Sequence, residues 1–508
     1  MRAAEHLPDR FNAAAWFVGR HLAEGRGDNV ALIMDDRSLT YAELDLLVRK
    51  LAATFRDAGV HRGDRVAFLL HDGFVLAAGF WAALAMGAIA VPLNTLLRPH
   101  DHAKILADCD ARLVILDPHI AKPDVAPDDA IVWTESEADQ RAEAAEPIAD
   151  YAPTHRDAFA FFLYSSGTTG EPKGVVHLHH DMWIASETYG LKVQEITAKD
   201  RCFSIAKIFF AYGLGNTLYV PMHVGAAAIL FAGRPTPEAV FAQVNRHRPT
   251  LFYGVPTAYG NMLAAMDQGQ NADFSSVRFC VSAGEALPAS LFERWRARTG
   301  TEIVDGIGST EICHVFLSNR PGKCVAGSTG TPVPGYDVRI VDETGMEVPR
   351  GELGDLLVRG DSIMALYWNK HEATKHTLRG DWIRTGDRYY QDEDGNFFHA
   401  GRSDDMIKAG GIWVSPVEVE GTLLQHPDVL ECAVVGDDDE DGLTKPRAFV
   451  VLRPGADATD LDSRLKLFAR ERLAHYKAPR WVTVLHELPK TATGKIQRFL
   501  LRAKSPRI

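Results

Sequence analysis

Apolar residues follow two rhythms along this chain. Short aliphatic and β-branched runs recur through roughly the first 400 positions. They include RVAFLL (65–70), AIAVPL (88–93), RLVILD (112–117), AAAILF (226–231), TLFYGV (250–255), VRFCVSAG (277–284) and TEIVDGIG (301–308). Runs of this length that end in Gly, Pro or Asp read as buried strands. Ala-rich amphipathic stretches such as YAELDLLVRKLAATFRDAG (41–59) lie between them and read as helices. Strands alternating with helices predict parallel or mixed sheets covered on both faces, with ligands at the carboxyl ends of the strands.

One apolar stretch is about as long as a bilayer is thick, FVLAAGFWAALAMGAIAVPL (74–93). It is rich in Ala and Gly, and Gly87 and Pro92 interrupt it. The better reading is a core helix stopped at Gly87, followed by a short buried strand. Residues 118–157 are polar and Pro-rich and predict a surface connection with one helix. Beyond position 400 the elements shorten: VEVEGTLLQHPDVLECAVVG, KPRAFVVL and LDSRLKLFARERLAHY. This change predicts a small α+β domain, with the acidic run DDDED (437–441) as a solvated loop. The expected fold is α/β. A large multi-layer N-terminal domain (1–402) would hold mixed sheets flanked by helices, and a small mobile α+β domain (403–508) would follow.

Composition narrows the function. With 508 residues the chain exceeds one compact core. Its net charge of -12 offers no basic excess to displace phosphate counterions, so nucleic acid is not the expected partner. The six cysteines form no CxxC pair, which fits a reducing cytoplasm and gives no zinc signature. The N-terminus has no apolar signal core, and no membrane attachment is expected.

The chemistry concentrates in loops. YSSGTTGEPKG (164–174) follows the apolar run Phe159–Leu163. It lacks Walker A spacing, yet Gly167, Gly170 and Gly174 would let the backbone approach an anion. Ser165, Ser166, Thr168 and Thr169 add hydroxyls, and Lys173 adds a charge. GIGSTE (306–311), RTGD (384–387), GRSDDMIKAGG (401–411) and PKTATGK (489–495) follow in that order.

Together these five motifs resemble the adenylate-forming superfamily of acyl-CoA synthetases, peptide-synthetase adenylation domains and luciferases. The likeness runs from GDRVAFLLHDG (63–73) to GKIQR (494–498), nearly the whole chain. It implies that the glycine loop holds the β- and γ-phosphates of ATP. It further implies that Thr310 contacts the α-phosphate and that Glu311, with Thr169, holds Mg²⁺. Gly284, Glu285 and Ala286 match the adenine-binding stretch, Asp387 the ribose carboxylate, Arg402 a nucleotide contact and Lys495 the adenylation lysine. Asp404 matches the hinge. Lys408, Ala409, Gly410, Gly411 and Trp413 match the face that meets the pantetheine of coenzyme A. HLHH (177–180) is read as the entry to a helix beside the acyl pocket rather than as a metal site.

The acid is addressed by AKIFFAYGLGN (206–216), where the aspartate usual in amino-acid-activating domains is missing. Phe210, Ala211 and Tyr212 point to a flat apolar slot. YSSGTTGEPKGVVHLHHDM, AKIFFAYGLGN, YGVPTAYGNML and SAGEALP together resemble benzoate–CoA ligases and their hydroxy- and aminobenzoate relatives. The resemblance implies an aromatic acid as partner and adds Ile307 and Gly308 to the pocket. Tyr259 and His314 either meet a ring substituent or simply pack; the substituent itself is not legible, and a homodimer is left open. The competing functions are an adenylation enzyme that loads a carrier protein and a nucleotide-binding protein without turnover.

Overall fold

The structure is a computed structural model. It describes all residues except 167–171, 410–411, 440–442, 491–495 and 505–508. Up to Arg402 the strands among the described residues form three sheets.

The first is a seven-stranded sheet. At its centre Arg65–Leu69 pairs in parallel with Ile89–Pro92 and Ala111–Leu116, and Ile89–Pro92 pairs in parallel with Phe159–Ser166. The second has nine strands, with a parallel centre built from Arg201–Ser204, Ala227–Ile229, Leu251–Gly254, Phe279–Ser282 and Ile303–Gly308. The apolar runs read from the sequence occupy these central strands because both faces are covered. The third sheet is antiparallel and includes Gly354–Arg359, Trp382–Gln391 and Phe397–Arg402.

Helix Phe74–Ala85 lies between core layers with nearly every side chain buried. It ends before Gly87 (φ +80°), and strand Ile89–Pro92 follows. No helix among the described residues is long and apolar enough to cross a membrane. Helix Tyr41–Asp57 starts at a reciprocal cap. Thr40 Oγ1 accepts from the Glu43 N–H at 3.2 Å, and Glu43 Oε2 accepts from the Thr40 N–H at 2.8 Å.

The 118–157 connection holds more than one helix. Ile131–Thr134 is an edge strand parallel to Ala111–Leu116, and helix Glu135–Ala144 follows it. Four residues are too few for a periodic pattern to stand out.

After Arg402 comes the hairpin Ile407–Ala409/Ile412–Val414 and a three-stranded sheet of Val429–Asp438, Thr444–Leu452 and Trp481–Val484. Helices Pro416–Leu423, Leu461–Arg470 and Arg498–Lys504 accompany them, around separate apolar clusters of their own.

Candidate active site

The glycine-rich segment lies between two paired strands. Phe159–Ser166 pairs antiparallel with Pro172–Leu178, placing Ser165 opposite Lys173 and Tyr164 opposite Gly174. Its tip, with Gly167, Thr168, Thr169 and Gly170, lies outside the described residues. The neck is pinned to Asp108. The Tyr164 hydroxyl donates to its carboxylate at 2.6 Å, and the Trp368 indole N–H to its carbonyl at 2.9 Å. Gly174 is required there, since a Cβ would lie 3.0 Å from the Tyr164 ring and 3.2 Å from Trp368 Cβ.

Strand Leu366–Tyr367 lies on the other edge of Pro172–Leu178. Lys173 Nζ sits 5.2 Å from the centre of the Tyr367 ring, and the Tyr367 hydroxyl donates to Glu311 Oε1 at 2.9 Å. Tyr367 thus joins two motifs read separately in the sequence. Nothing in LYWNK singles it out, because its partners come from distant segments.

Thr310 and Glu311 occupy a helical turn, Thr310–Ile312, that ends strand Ile303–Gly308. The chain then reverses through Cys313, whose φ of +72° is uncommon for a residue with a side chain. It returns as Val315–Ser318, with a register shift beside Ile307 and Gly308. A Cβ on Gly308 would stand 2.6 Å from the His314 carbonyl oxygen. The Glu311 carbonyl accepts from the Met364 N–H at 2.8 Å.

His314 is buried, and neither ring nitrogen has a partner among the described residues. Its ring lies 5.1 Å from Tyr189 and 6.1 Å from Tyr212, centre to centre. Burial lowers its pKa to about 3, so the imidazole is neutral at ordinary pH. Gly215 makes room: a Cβ there would fall 2.2 Å from His314 Cδ2.

Phe210 precedes the turn Ala211–Leu214 and meets Phe209 edge to face at 4.6 Å. Phe210, Ala211 and Tyr212 are only partly buried. Tyr212 and Tyr259 both donate to the Val281 carbonyl, at 3.2 and 2.7 Å. Tyr259 has no exposed surface and packs edge to face on Trp295 at 4.8 Å. The structure therefore places Tyr259 by the packing alternative, whereas His314 keeps its hydrogen-bonding capacity. The loop before Phe210 is tied down by Asp72, whose Oδ1 accepts from the Ile208 N–H at 3.1 Å. Lys207, beside it, donates to the carbonyls of Phe231 and Gly233.

Asp387 faces Arg402 across a hairpin, and Arg402 Nη1 donates to its Oδ1 at 3.2 Å. His399 Nε2 lies 3.5 Å from the same oxygen. Burial alone would raise the Asp387 pKa, but His399 and the Arg402 charge outweigh it and hold the carboxyl below its usual range. Gly284 (φ +91°) opens the loop after Phe279–Ser282, and Ala286 lies partly buried beyond it. Glu285 Oε2 accepts from Thr257, at 3.2 Å from its N–H and 2.8 Å from its hydroxyl.

The Asp404 carbonyl accepts from Arg502 Nη2 at 3.2 Å, and the same guanidinium donates to Asp405 at 2.6 Å. Arg498 grips Glu420 with two contacts of 2.8 and 2.9 Å. Lys408 and Trp413 face each other across the short hairpin, with Nζ 5.3 Å from the indole centre. Gly410, Gly411 and Lys495 lie outside the described residues. Lys490 and Ile496, on either side of Lys495, form an antiparallel bridge.

Comparison with known proteins places the chain in a family. Residues 20–368 match the AMP-binding enzyme family, and residues 418–495 match the AMP-binding enzyme C-terminal domain. A benzoate–CoA ligase of Thauera aromatica is 44% identical over 98% of this chain and 97% of its own length. The crystal structure of the anthranilate CoA ligase AuaEII with anthranoyl-AMP superposes with a TM-score of 0.95 at 41% identity, covering 99% of this chain and 98% of that one. A benzoate CoA ligase from Burkholderia xenovorans LB400 gives 0.90 at 45% identity, covering 97% and 100%. The chain belongs to the AMP-binding enzyme family.

Proposed function

We propose that this enzyme joins benzoate or a substituted benzoate to coenzyme A at the expense of ATP. It is an AMP-forming acid–thiol ligase. A carboxylate oxygen attacks the α-phosphorus, the bond to pyrophosphate breaks and an aroyl-adenylate forms. The thiol sulfur of coenzyme A then attacks the acyl carbon, AMP departs and the thiol proton passes to solvent.

The observation that carries this reading is the run of contacts Lys173–Tyr367–Glu311, with the Asp387–Arg402 pair on a neighbouring hairpin. These contacts join four of the five motifs in two pairs, and the Arg402 guanidinium feels the Glu311 charge as well as that of Asp387. In this reading Ser165, Ser166, Lys173 and the hairpin tip hold the β- and γ-phosphates, and Thr310 meets the α-phosphate. Asp387 accepts from the ribose hydroxyls, Arg402 steadies it, and Gly284–Glu285–Ala286 border the adenine. The approach of carboxylate to phosphate brings two anions together, and Lys495 offsets that repulsion. Glu311 Oε1 is taken by Tyr367, which leaves Oε2 as a hard oxygen ligand for Mg²⁺. When bound there, Mg²⁺ would neutralise phosphate charge.

Phe210, Ala211, Tyr212, Ile307 and Gly308 border the acid, with His314 able to meet a ring hydroxyl or amino group. The division falls at 402/403, with Asp404 as hinge. Rotation of the small domain would exchange Lys495 for the Lys408–Trp413 face, along which pantetheine enters. The scattered, unpaired cysteines support a cytoplasmic setting.

The test is a panel of substituted benzoates, medium-chain fatty acids and amino acids, with AMP and thioester followed separately. Benzoates should give both products. Aroyl-AMP without thioester from free coenzyme A would instead indicate carrier-protein loading.

A further inference from the structure

His177 lies four residues beyond Lys173, on the strand that leaves the glycine-rich turn, and its side chain reaches the other sheet. Its Nδ1 lies 2.6 Å from Asp181 Oδ2, and its Nε2 lies 2.7 Å from the Thr310 carbonyl oxygen. Both side chains of the pair are fully buried. The ring also stacks on Phe161, its cross-strand partner, at 4.9 Å. Asp181 Oδ2 accepts in addition from the Leu178 N–H at 3.0 Å, so the carboxylate is itself fixed at the start of helix His179–Ala185.

A carbonyl oxygen can only accept. Whichever member of the pair holds the proton between them, Nε2 must therefore carry one. The Thr310–Glu311 peptide is trans, which sets the Glu311 N–H opposite the carbonyl that His177 holds. The next carbonyl, of Glu311, is held by the Met364 N–H. Two consecutive peptide groups are thus held from outside their own turn, the first by the imidazole at 2.7 Å alongside a longer bond from the Cys313 N–H of that turn at 3.3 Å.

We propose that His177, steered by Asp181, is a positioning residue for aroyl-adenylate formation. By holding the Thr310 carbonyl it aims the Thr310 side chain and the Glu311 peptide at the reacting phosphate. The proposal rests on the reading of Thr310 as the α-phosphate contact.

The test uses full-length enzyme carrying His177→Phe, which keeps the stack on Phe161, and His177→Gln, which restores an N–H donor. Misplacing a reacting group by a fraction of an ångström costs up to about 100-fold in rate, so His177→Phe should lower kcat for acyl-AMP formation by about 10- to 100-fold. KM for the acid should stay within about threefold, because only the chemical step is misaligned. His177→Gln should recover a substantial part of the loss. Thr310→Val should cost less in the His177→Phe background than in wild type, since both act on one contact.

A His177→Phe enzyme within about twofold of wild type, or a Thr310→Val cost unchanged between backgrounds, overturns the proposal while leaving the ligase reading intact. Wild-type enzyme that makes no acyl-AMP from any acid overturns both. Nitrogen NMR of ¹⁵N-histidine-labelled wild-type enzyme needs no variant that must fold to be active. It should show His177 protonated at Nε2, and a ring protonated at Nδ1 alone sinks the idea.

Discussion

The Tyr367 hydroxyl donates to Glu311 Oε1 at 2.9 Å, while Lys173 lies over the same ring. One phenol therefore stands between the proposed phosphate lysine and the proposed cation carboxylate. It would fix which carboxylate oxygen remains for the proposed ion. Tyr367→Phe keeps the ring and releases that oxygen. A hydrogen bond to a charged group contributes roughly 1.5–3 kcal/mol. The expected outcome is a roughly 10- to 100-fold higher Mg²⁺ concentration for half-maximal acyl-AMP formation, with a measurable loss of thermal stability. An unchanged Mg²⁺ titration would detach Tyr367 from the cation.

Gly215 and His314 are equally interdependent. A methyl group at position 215 would need the space of the imidazole, 2.2 Å from Cδ2. Gly215→Ala should displace the ring and lower kcat/KM for the best aromatic acid by at least about tenfold, a loss of ~1.4 kcal/mol in transition-state binding. Linear acids longer than about eight carbons should stay poor in wild type if, as proposed, Phe210–Tyr212 form a slot closed by aromatic groups. Comparable kcat/KM for dodecanoate would contradict that slot.

Asp72 carries a pH dependence. Burial pushes its carboxyl up to about 6, against the opposing pull of the Lys207 ammonium and the Ile208 N–H. A carboxyl whose folded pKa lies above its unfolded value binds its proton more tightly when folded. Its stabilising contribution is complete below about pH 4 and is lost as pH rises through about 6, at most ~3 kcal/mol. Asp72→Asn stays neutral and can still accept from Ile208. Chemical denaturation between pH 4 and 7.5 should show the wild type losing stability relative to the variant. Parallel profiles would remove Asp72 from the account.

The two half-reactions should separate by mutation. Lys495→Ala is expected to abolish acyl-AMP formation yet spare thioester formation from supplied aroyl-AMP. Asp404→Pro fixes φ near −65° and removes an N–H. It should keep one half-reaction, adenylation, and lose the other. Single-turnover assays of acyl-AMP formation and of its consumption by coenzyme A would decide. Full thioesterification by the proline variant would show that the hinge lies elsewhere.

Much of this architecture is legible in the chain. Fully buried parallel strands must be continuously apolar, so RVAFLL and VRFCVSAG declare themselves. Gly87 marks the end of the core helix because only glycine takes its φ easily. The site is legible where a motif is local, as in RTGD and GIGSTE. It is silent where chemistry depends on tertiary contact. Tyr367 sits in LYWNK, Asp72 in HDG and His177 in HLHH, and nothing nearby reveals their partners. The edge strand Ile131–Thr134 escapes because it is short and only partly buried. Tyr259 shows the opposite failure. A polar tip in the pocket sequence looks available, yet a backbone carbonyl in the core has already engaged it.

Arg498 stands three residues beyond Lys495 and holds Glu420 of another helix with both contacts of one guanidinium nitrogen. Arg502, one turn further, holds the Asp404 carbonyl and Asp405. The helix that follows the lysine, Arg498–Lys504, is therefore riveted to the body it belongs to. Withdrawing the lysine by peeling its segment away would break these ionic contacts, whereas rotating the whole body keeps them. Such a rotation would part only contacts between the bodies, such as Ser415 Oγ with the Ala400 carbonyl and Ser403 Oγ with Asp355, and would work against the drag of the surrounding liquid. Turnover limited by that step would slow in proportion to solvent viscosity, and adenylation in an already closed enzyme would not.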